Sequence, residues 1–248
     1  MALIDHQKMM SKHILLFVNN AILKDESFRG VFIYGEGLSA NKIFVRTHQN
    51  LADELSSQHR YLDSAKKRLD EAGLLSQQIN RKRTRLTVLH VSGNLAAIMG
   101  DYDQARTNLQ EAFILGEELG ERMESLWCRA KLGGLVINQG NLVEARQLLV
   151  QSTKEFQADG TVVGVVFTLE RLASLYVTKP ELAIRLVGWA DAAHLQISDP
   201  RPSIEQADVD KIIAACIVKM GEVAFSDAYD EGQKMTMDEA VALALGTN

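Results

Sequence analysis

The 248-residue sequence predicts an all-α protein, a solenoid of helix-turn-helix repeats closed by C-terminal capping helices. Three observations predict it. The only prolines are Pro180, Pro200 and Pro202, so the chain before Pro180 has none, which the many turns of an all-β or α/β chain rarely allow. Apolar residues recur at spacings of three and four over long segments, the period of a helix with one buried face. The third observation is a repeat: "SGNLAAIMGDYDQARTNLQEAF" returns as "LGGLVINQGNLVEARQLLVQST". Gly93 pairs with Gly133, Gly100 with Gly140, Tyr102 with Leu142, Ala105 with Ala145 and Leu109 with Leu149, all at one and the same offset. A fixed period of this length, about 40 residues, means stacked supersecondary units, each too small to bury its own apolar face.

The elements follow in order. Residues 1–44 are expected to form a degenerate N-terminal helix pair whose second helix contains "IYGEGLSANK"; its Gly30, Gly35 and Gly37 each weaken a helix by up to about 1 kcal/mol relative to Ala. Residues 45–198 hold four repeats, about 45–80, 82–120, 122–159 and 161–198. In the first, Ala65, Leu69 and Leu62 stand one period before Ala105, Leu109 and Tyr102. In the last, Ala173 and Ala183 take the small-residue places, with one extra residue in the turn. Gly93 and Gly133 admit a close neighbouring helix, while Gly100 and Gly140 end the first helix of a pair in the left-handed conformation. Asp101 and Asn141 cap the second helix. Residues 203–248 supply the capping helices, with capping-box starts at Thr178/Glu181, Ser203/Gln206 and Thr236/Glu239.

The set Gly93, Gly100, Asp101-Tyr102, Ala105 and Ala112 resembles the tetratricopeptide repeat (TPR) signature: a small residue, a Gly-Asp-Tyr turn, and two small residues seven apart on the second helix. Leu89 stands where that signature has tryptophan. The long period resembles the lengthened repeats of bacterial signal-transduction ATPases and transcriptional regulators of the MalT/LuxR and AfsR type. The segment that often ends those regulators is similar to the C-terminal part of this chain, through Leu169-Glu170-Arg171-Leu172-Ala173, Arg185-Leu186-Val187-Gly188-Trp189-Ala190, the Pro200–Pro202 turn and Met235-Thr236-Met237-Asp238-Glu239-Ala240. The resemblance runs from about residue 60 onward. It implies a right-handed α-solenoid of TPR-like pairs and a regulatory context, in which DNA reading and ATP hydrolysis belong to other domains.

Composition and motifs exclude several functions. No run of about 18 uncharged apolar residues predicts a membrane span, and the N-terminus does not read as a signal peptide. Cys128 and Cys216 lie far apart without a CxxC partner, which fits buried small hydrophobes in a reducing cytoplasm. A net charge of −5 gives no global attraction to nucleic acid, and the one basic run, Arg81-Lys82-Arg83-Thr84-Arg85, carries no interleaved aromatics and reads as a solvated helix start. A phosphate-binding loop ending at Lys42 needs glycine at 36 and 41 and a hydroxyl at 43, where the chain has Glu36, Asn41 and Ile43. The six histidines have no paired metal spacing, and no nucleophile-histidine signature occurs. No catalytic residue, metal or cofactor is therefore expected.

Repeat surfaces of stacked helix pairs bind peptides or other proteins. Counting back from each turn glycine places Asn50 and Glu54, then His90 and Asn94, then Trp127 and Asn138, then Phe167 and Arg171 along one groove. Amides that grip a peptide backbone, an amphipathic Trp anchor and an Arg for a carboxylate or phosphate make a binding set. The expected partner is a protein, a peptide or a small-molecule effector, with no direct nucleic-acid contact. Two alternatives stand beside this: a homo-oligomeric scaffold using the apolar helix at residues 14–18, and a nucleotide-dependent enzyme using residues 33–42.

Overall fold

The computed structural model describes residues 62–78 and 82–246, all within a unit that spans Leu55–Asn248. The helix starts reveal a spacing finer than the repeat. Helices α1 (Leu62–Gln78), α2 (Lys82–Ile98), α3 (Tyr102–Leu119), α4 (Arg122–Asn138), α5 (Leu142–Ala158) and α6 (Val162–Leu175) begin at even intervals, two to each repeat. They are followed by α7 (Pro180–Ile197), α8 (Ser203–Met220), α9 (Glu222–Gln233) and α10 (Met237–Leu245), and no strand occurs among the described residues.

That spacing is set by glycine. Gly100, Gly120, Gly140 and Gly160 all have φ between +65° and +81°. At each, the residue after the glycine donates its N–H five residues back, as in Asp101 to Ala96 (2.9 Å) and Asn141 to Val136 (3.0 Å). The glycine itself donates three residues back, so each turn is a Schellman motif that satisfies carbonyls the helix end leaves open. The next helix then starts on a cap: Asp101 accepts from the Gln104 N–H at 3.2 Å and Asn141 from the Glu144 N–H at 3.3 Å, as expected from the sequence.

The equivalence of the repeats in sequence is also an equivalence of packing. A Cβ on Gly93 would sit 2.7 Å from Leu109 Cγ, and one on Gly133 would sit 2.8 Å from Leu149 Cγ. Ala105, Leu109, Ala145 and Leu149 are all buried. From α1 to α9 each helix packs on the next in sequence, and α2, α4 and α6 also touch one another in turn, more closely than α3, α5 and α7 do. The helices after residue 203 fold back: α8 and α9 lie on α7, and α10 packs on α5, α6 and α7. Tyr176 ties this end to α6 by donating its hydroxyl to the Ala244 carbonyl at 2.7 Å.

Two expected capping boxes are corrected. The cap of α7 is Lys179, because Pro180 occupies the first helical position, and the cap of α8 is Pro202, which places Ser203 inside the helix. Thr236 and Glu239 do form a capping box.

A paired substitution tests the turn logic. Gly140→Ala forces a Cβ into a left-handed turn and is expected to cost about 1–2 kcal/mol. Gly134→Ala, mid-helix with its new Cβ at ordinary contact distance (3.5 Å) from Arg171 Cδ, is expected to be neutral or to stabilise by up to about 1 kcal/mol. Thermal melts of the two variants check the opposite signs.

Candidate functional site

The sequence positions Trp127 and Lys131 one turn apart on α4, and Phe167 and Arg171 one turn apart on α6. Each aromatic-cation pair is the other displaced by one repeat. Side chains four apart share a helix face, and α4 touches α6, so the two pairs converge. Phe167 is 6% exposed and forms the floor. Lys131 Nζ stands 4.3 Å from its ring centroid and the Arg171 guanidinium carbon 4.9 Å, both within cation-π range. Trp127, half-buried, stands with its ring 5.8 Å from Phe167 and 4.8 Å from the buried Phe156. The face can receive a negatively charged group above an aromatic floor. In the structure, Glu205 of α8 stands there: its Oε1 lies 3.6 Å from Lys131 Nζ and 3.7 Å from an Arg171 nitrogen.

The structure brings together Trp127, Phe167 and Arg171 and separates them from other residues expected in the groove. His90 does not reach the surface. It is fully buried, with Nδ1 3.0 Å from Glu124 Oε2 and with no protein hydrogen-bond partner for Nε2. The reason is register: positions 90, 130 and 170, held by His90, Ala130 and Glu170, all point into the packing between helices and are all buried. Phe167 likewise serves as a floor more than as a free contact. Asn94 is half-buried, and Asn138 is exposed as the last residue of α4. Asn50, Glu54 and the segment 33–42 lie outside the described residues. Sequence reasoning missed Lys131 and Glu205. Lys131 could have been found from the repeat register alone, as the equivalent of Arg171; Glu205 carried no such signal.

The basic run at the start of α2 has acidic partners in the chain. Arg83 pairs with Glu121, Arg85 with Glu111, and Lys82 approaches Glu118 at 3.7 Å. These pairs reduce the positive charge available to a phosphate backbone.

A second polar cluster sits where α6, α7 and the segment leading into α8 meet. Glu170, fully buried, accepts from Arg201 Nε at 2.7 Å and faces His194 Nε2 at 3.2 Å. Arg201 also donates to Asp191 at 2.5 Å and to Gln206 at 2.7 Å. Tyr229 of α9 donates to the second Asp191 oxygen at 2.7 Å, and burial together with that hydrogen bond pushes its phenol up to about 12. Both nitrogens of His194 face acceptors, Nδ1 facing the Asp199 carbonyl at 2.5 Å. Burial opposes the imidazolium charge, but the Glu170 carboxylate and the Asp199 carbonyl outweigh it and hold the His194 pKa above its ordinary value. The charges of Glu170 and Asp191 are paired with those of Arg201 and His194.

Cys128 and Cys216 are both buried, and burial pushes both thiols up, away from reactive thiolates. Among the described residues no group of three or more His, Cys, Asp or Glu side chains is placed to hold a metal ion, and no helix is long and apolar enough to cross a membrane. A cleft of about 490 Å³ opens beside α7, with Arg185, Met220 and Leu243 in its lining, and none of the expected groove residues reaches it. Comparison of the chain with protein-family models, curated proteins and solved structures finds no match.

Proposed function

We propose that this chain is a non-catalytic binding module, the sensor or scaffold region of a bacterial transcriptional regulator, built as a right-handed TPR-like solenoid. It takes a protein or peptide partner, or a small-molecule effector, on the face of α2, α4 and α6 and passes occupancy to a partner domain. One observation carries the binding reading. The aromatic-cation pairs Trp127/Lys131 and Phe167/Arg171 repeat at the period of the fold and converge on one surface. The regulatory context comes from the resemblance of the repeats and the C-terminal segment; the closer mutual contact of α2, α4 and α6 supports placing these helices on the inner side of a curved stack.

The test uses the chain's own reporter. There are two tryptophans, and Trp189 is 4% exposed while Trp127 lies at the candidate surface. Titration of the purified chain with pools of random octapeptides is expected to shift or quench tryptophan emission, with no change in the Trp127→Phe variant. Hits should bind Trp127→Ala and Arg171→Ala at least tenfold more weakly, about 1.4 kcal/mol. Binders whose affinity both variants leave intact would remove this surface from the reading.

A further inference from the structure

We propose that Glu205, helped by Asp208, is a built-in occupant of the Trp127/Lys131/Phe167/Arg171 face, and that an acidic segment of a partner protein competes with it for Lys131 and Arg171. This rests on the binding reading above and specifies both the chemistry of the partner and what holds it off.

Ion pairs that bridge helices fall into two sets. Lys82 to Glu118 and Arg185 to Glu231 stay at 3.7 and 3.5 Å, whereas Arg106 to Glu144, Arg122 to Asp159 and Arg129 to Glu155 all close to 2.7 Å. Glu205 instead shares one carboxylate oxygen between two cations at 3.6 and 3.7 Å, beyond hydrogen-bonding distance. Asp208 is looser still: it lies 3.9 Å from Arg171, is half exposed, and its other oxygen is 3.0 Å from Lys211 on its own helix. The cations are therefore paired but incompletely satisfied, and they keep unused donors.

Charge counting gives the same direction. Lys131 and Arg171 bring two positive charges to the face, Glu205 brings one negative charge, and Asp208 is divided between Arg171 and Lys211. A local positive excess remains in a chain whose net charge is −5. Such a spot attracts carboxylates. The buried Phe167 ring holds both cations in place from beneath, at 4.3 and 4.9 Å.

Release of Glu205 needs no unfolding. α8 is held by Val209, Ile212 and Cys216, all buried, and its start is anchored through Arg201 and Gln206. Rotation of the Glu205 side chain away from the face, with the helix still docked, gives up two loose contacts, to Lys131 and Arg171, among side chains that are 15–20% exposed. A competing carboxylate replaces those contacts, so the gate is set by the difference between the two occupants.

The experiment measures fluorescence anisotropy of a fluorescein-labelled tetraglutamate peptide with the full chain at low ionic strength, where surface charges are least screened. Glu205→Gln should bind about fivefold tighter than wild type, Glu205→Gln/Asp208→Asn about tenfold tighter, and addition of Arg171→Gln should abolish the gain. A tetraglutamine peptide should show no binding. Tetraglutamate that binds Glu205→Gln and Asp208→Asn no tighter than wild type, or a gain that survives Arg171→Gln, overturns the proposal. A single-stranded pentathymidylate, which carries about the same charge, binding as tightly as tetraglutamate would overturn it in favour of a general polyanion surface. Asp208→Asn, at a half-exposed position, keeps the test open should Glu205→Gln fold poorly. Trp127-dependent binding of non-acidic peptides with no effect of Glu205→Gln would refute the competition alone and leave the binding reading intact.

Discussion

Glu170→Ala is expected to destabilise the fold by about 3–5 kcal/mol, the cost of removing one partner from a buried ion cluster. Glu170 is fully buried and is the shared acceptor of Arg201 and His194, whose side chains are 6% and 12% exposed. Without its carboxylate, Arg201 retains Asp191 and Gln206, but His194 is left with a single acceptor and an uncompensated charge. For a domain of this size, 1 kcal/mol moves the melting temperature by roughly 2–4 °C, so a fall of roughly 6–20 °C is expected in thermal melts. Glu170→Gln, which keeps an acceptor and loses the charge, should fall between wild type and Glu170→Ala. A melt for Glu170→Ala within about 2 °C of wild type would show that the cluster contributes nothing net.

The same cluster sets a pH dependence whose sign follows from His194. Its folded pKa lies above the ordinary 6.5, so between those two values the folded state holds a proton that the unfolded chain has released. The stabilisation is complete below about 6.5 and is lost as pH rises through the raised value. The physical cause is geometric: a neutral ring has only one N–H to offer to the Asp199 carbonyl and Glu170, so deprotonation forfeits one of the two hydrogen bonds. His194→Gln should flatten this part of the melting profile on the alkaline side, and the difference between the two profiles reports His194 together with the Glu170 and Arg201 charges coupled to it.

What could be read from the sequence follows from how local each cause is. Gly100 and Gly140, with Asp101 and Asn141 after them, announce their turns because a left-handed residue and a capping side chain act within a few positions, whatever packs above them. Gly120 and Gly160 do the same work halfway between, ending one repeat and admitting the next. The caps at Thr178 and Ser203 misled because a nearby proline moved the helix start by one residue, a competition that the capping pattern alone does not show. His90 misled for a different reason. A polar residue at a position equivalent to Ala130 reads as surface until its partner is known, and that partner, Glu124, comes from another helix. Of the candidate site, the α4 and α6 halves were accessible to the repeat register. The acidic occupant on α8 lies outside the repeat and had to be placed by tertiary packing.

Gly188→Ala and Gly232→Ala carry the second large expected effect, because at both positions the obstacle is backbone. A Cβ on Gly188 of α7 would sit 2.4 Å from the Tyr229 carbonyl oxygen, and a Cβ on Gly232 of α9 would sit 2.2 Å from the Arg185 carbonyl oxygen. The two helices therefore interlock by reciprocal glycines, each opposite the other's main chain. A side chain in the way can shift within its own packing, as Leu109 must opposite Gly93, but a helical carbonyl moves only with its helix. Relief requires α7 and α9 to separate, which would disturb Tyr229 against Asp191 and the burial of Ala228 between them. Each substitution is expected to cost about 3 kcal/mol, at the upper end for overpacking, despite Ala being the better helix former by about 1 kcal/mol. The melting temperature should then fall by roughly 6–12 °C, against a smaller loss for Gly93→Ala. Since both clashes are relieved by the same separation, the double variant should lose less than the sum of the singles, and strict additivity would mean that the two contacts are independent.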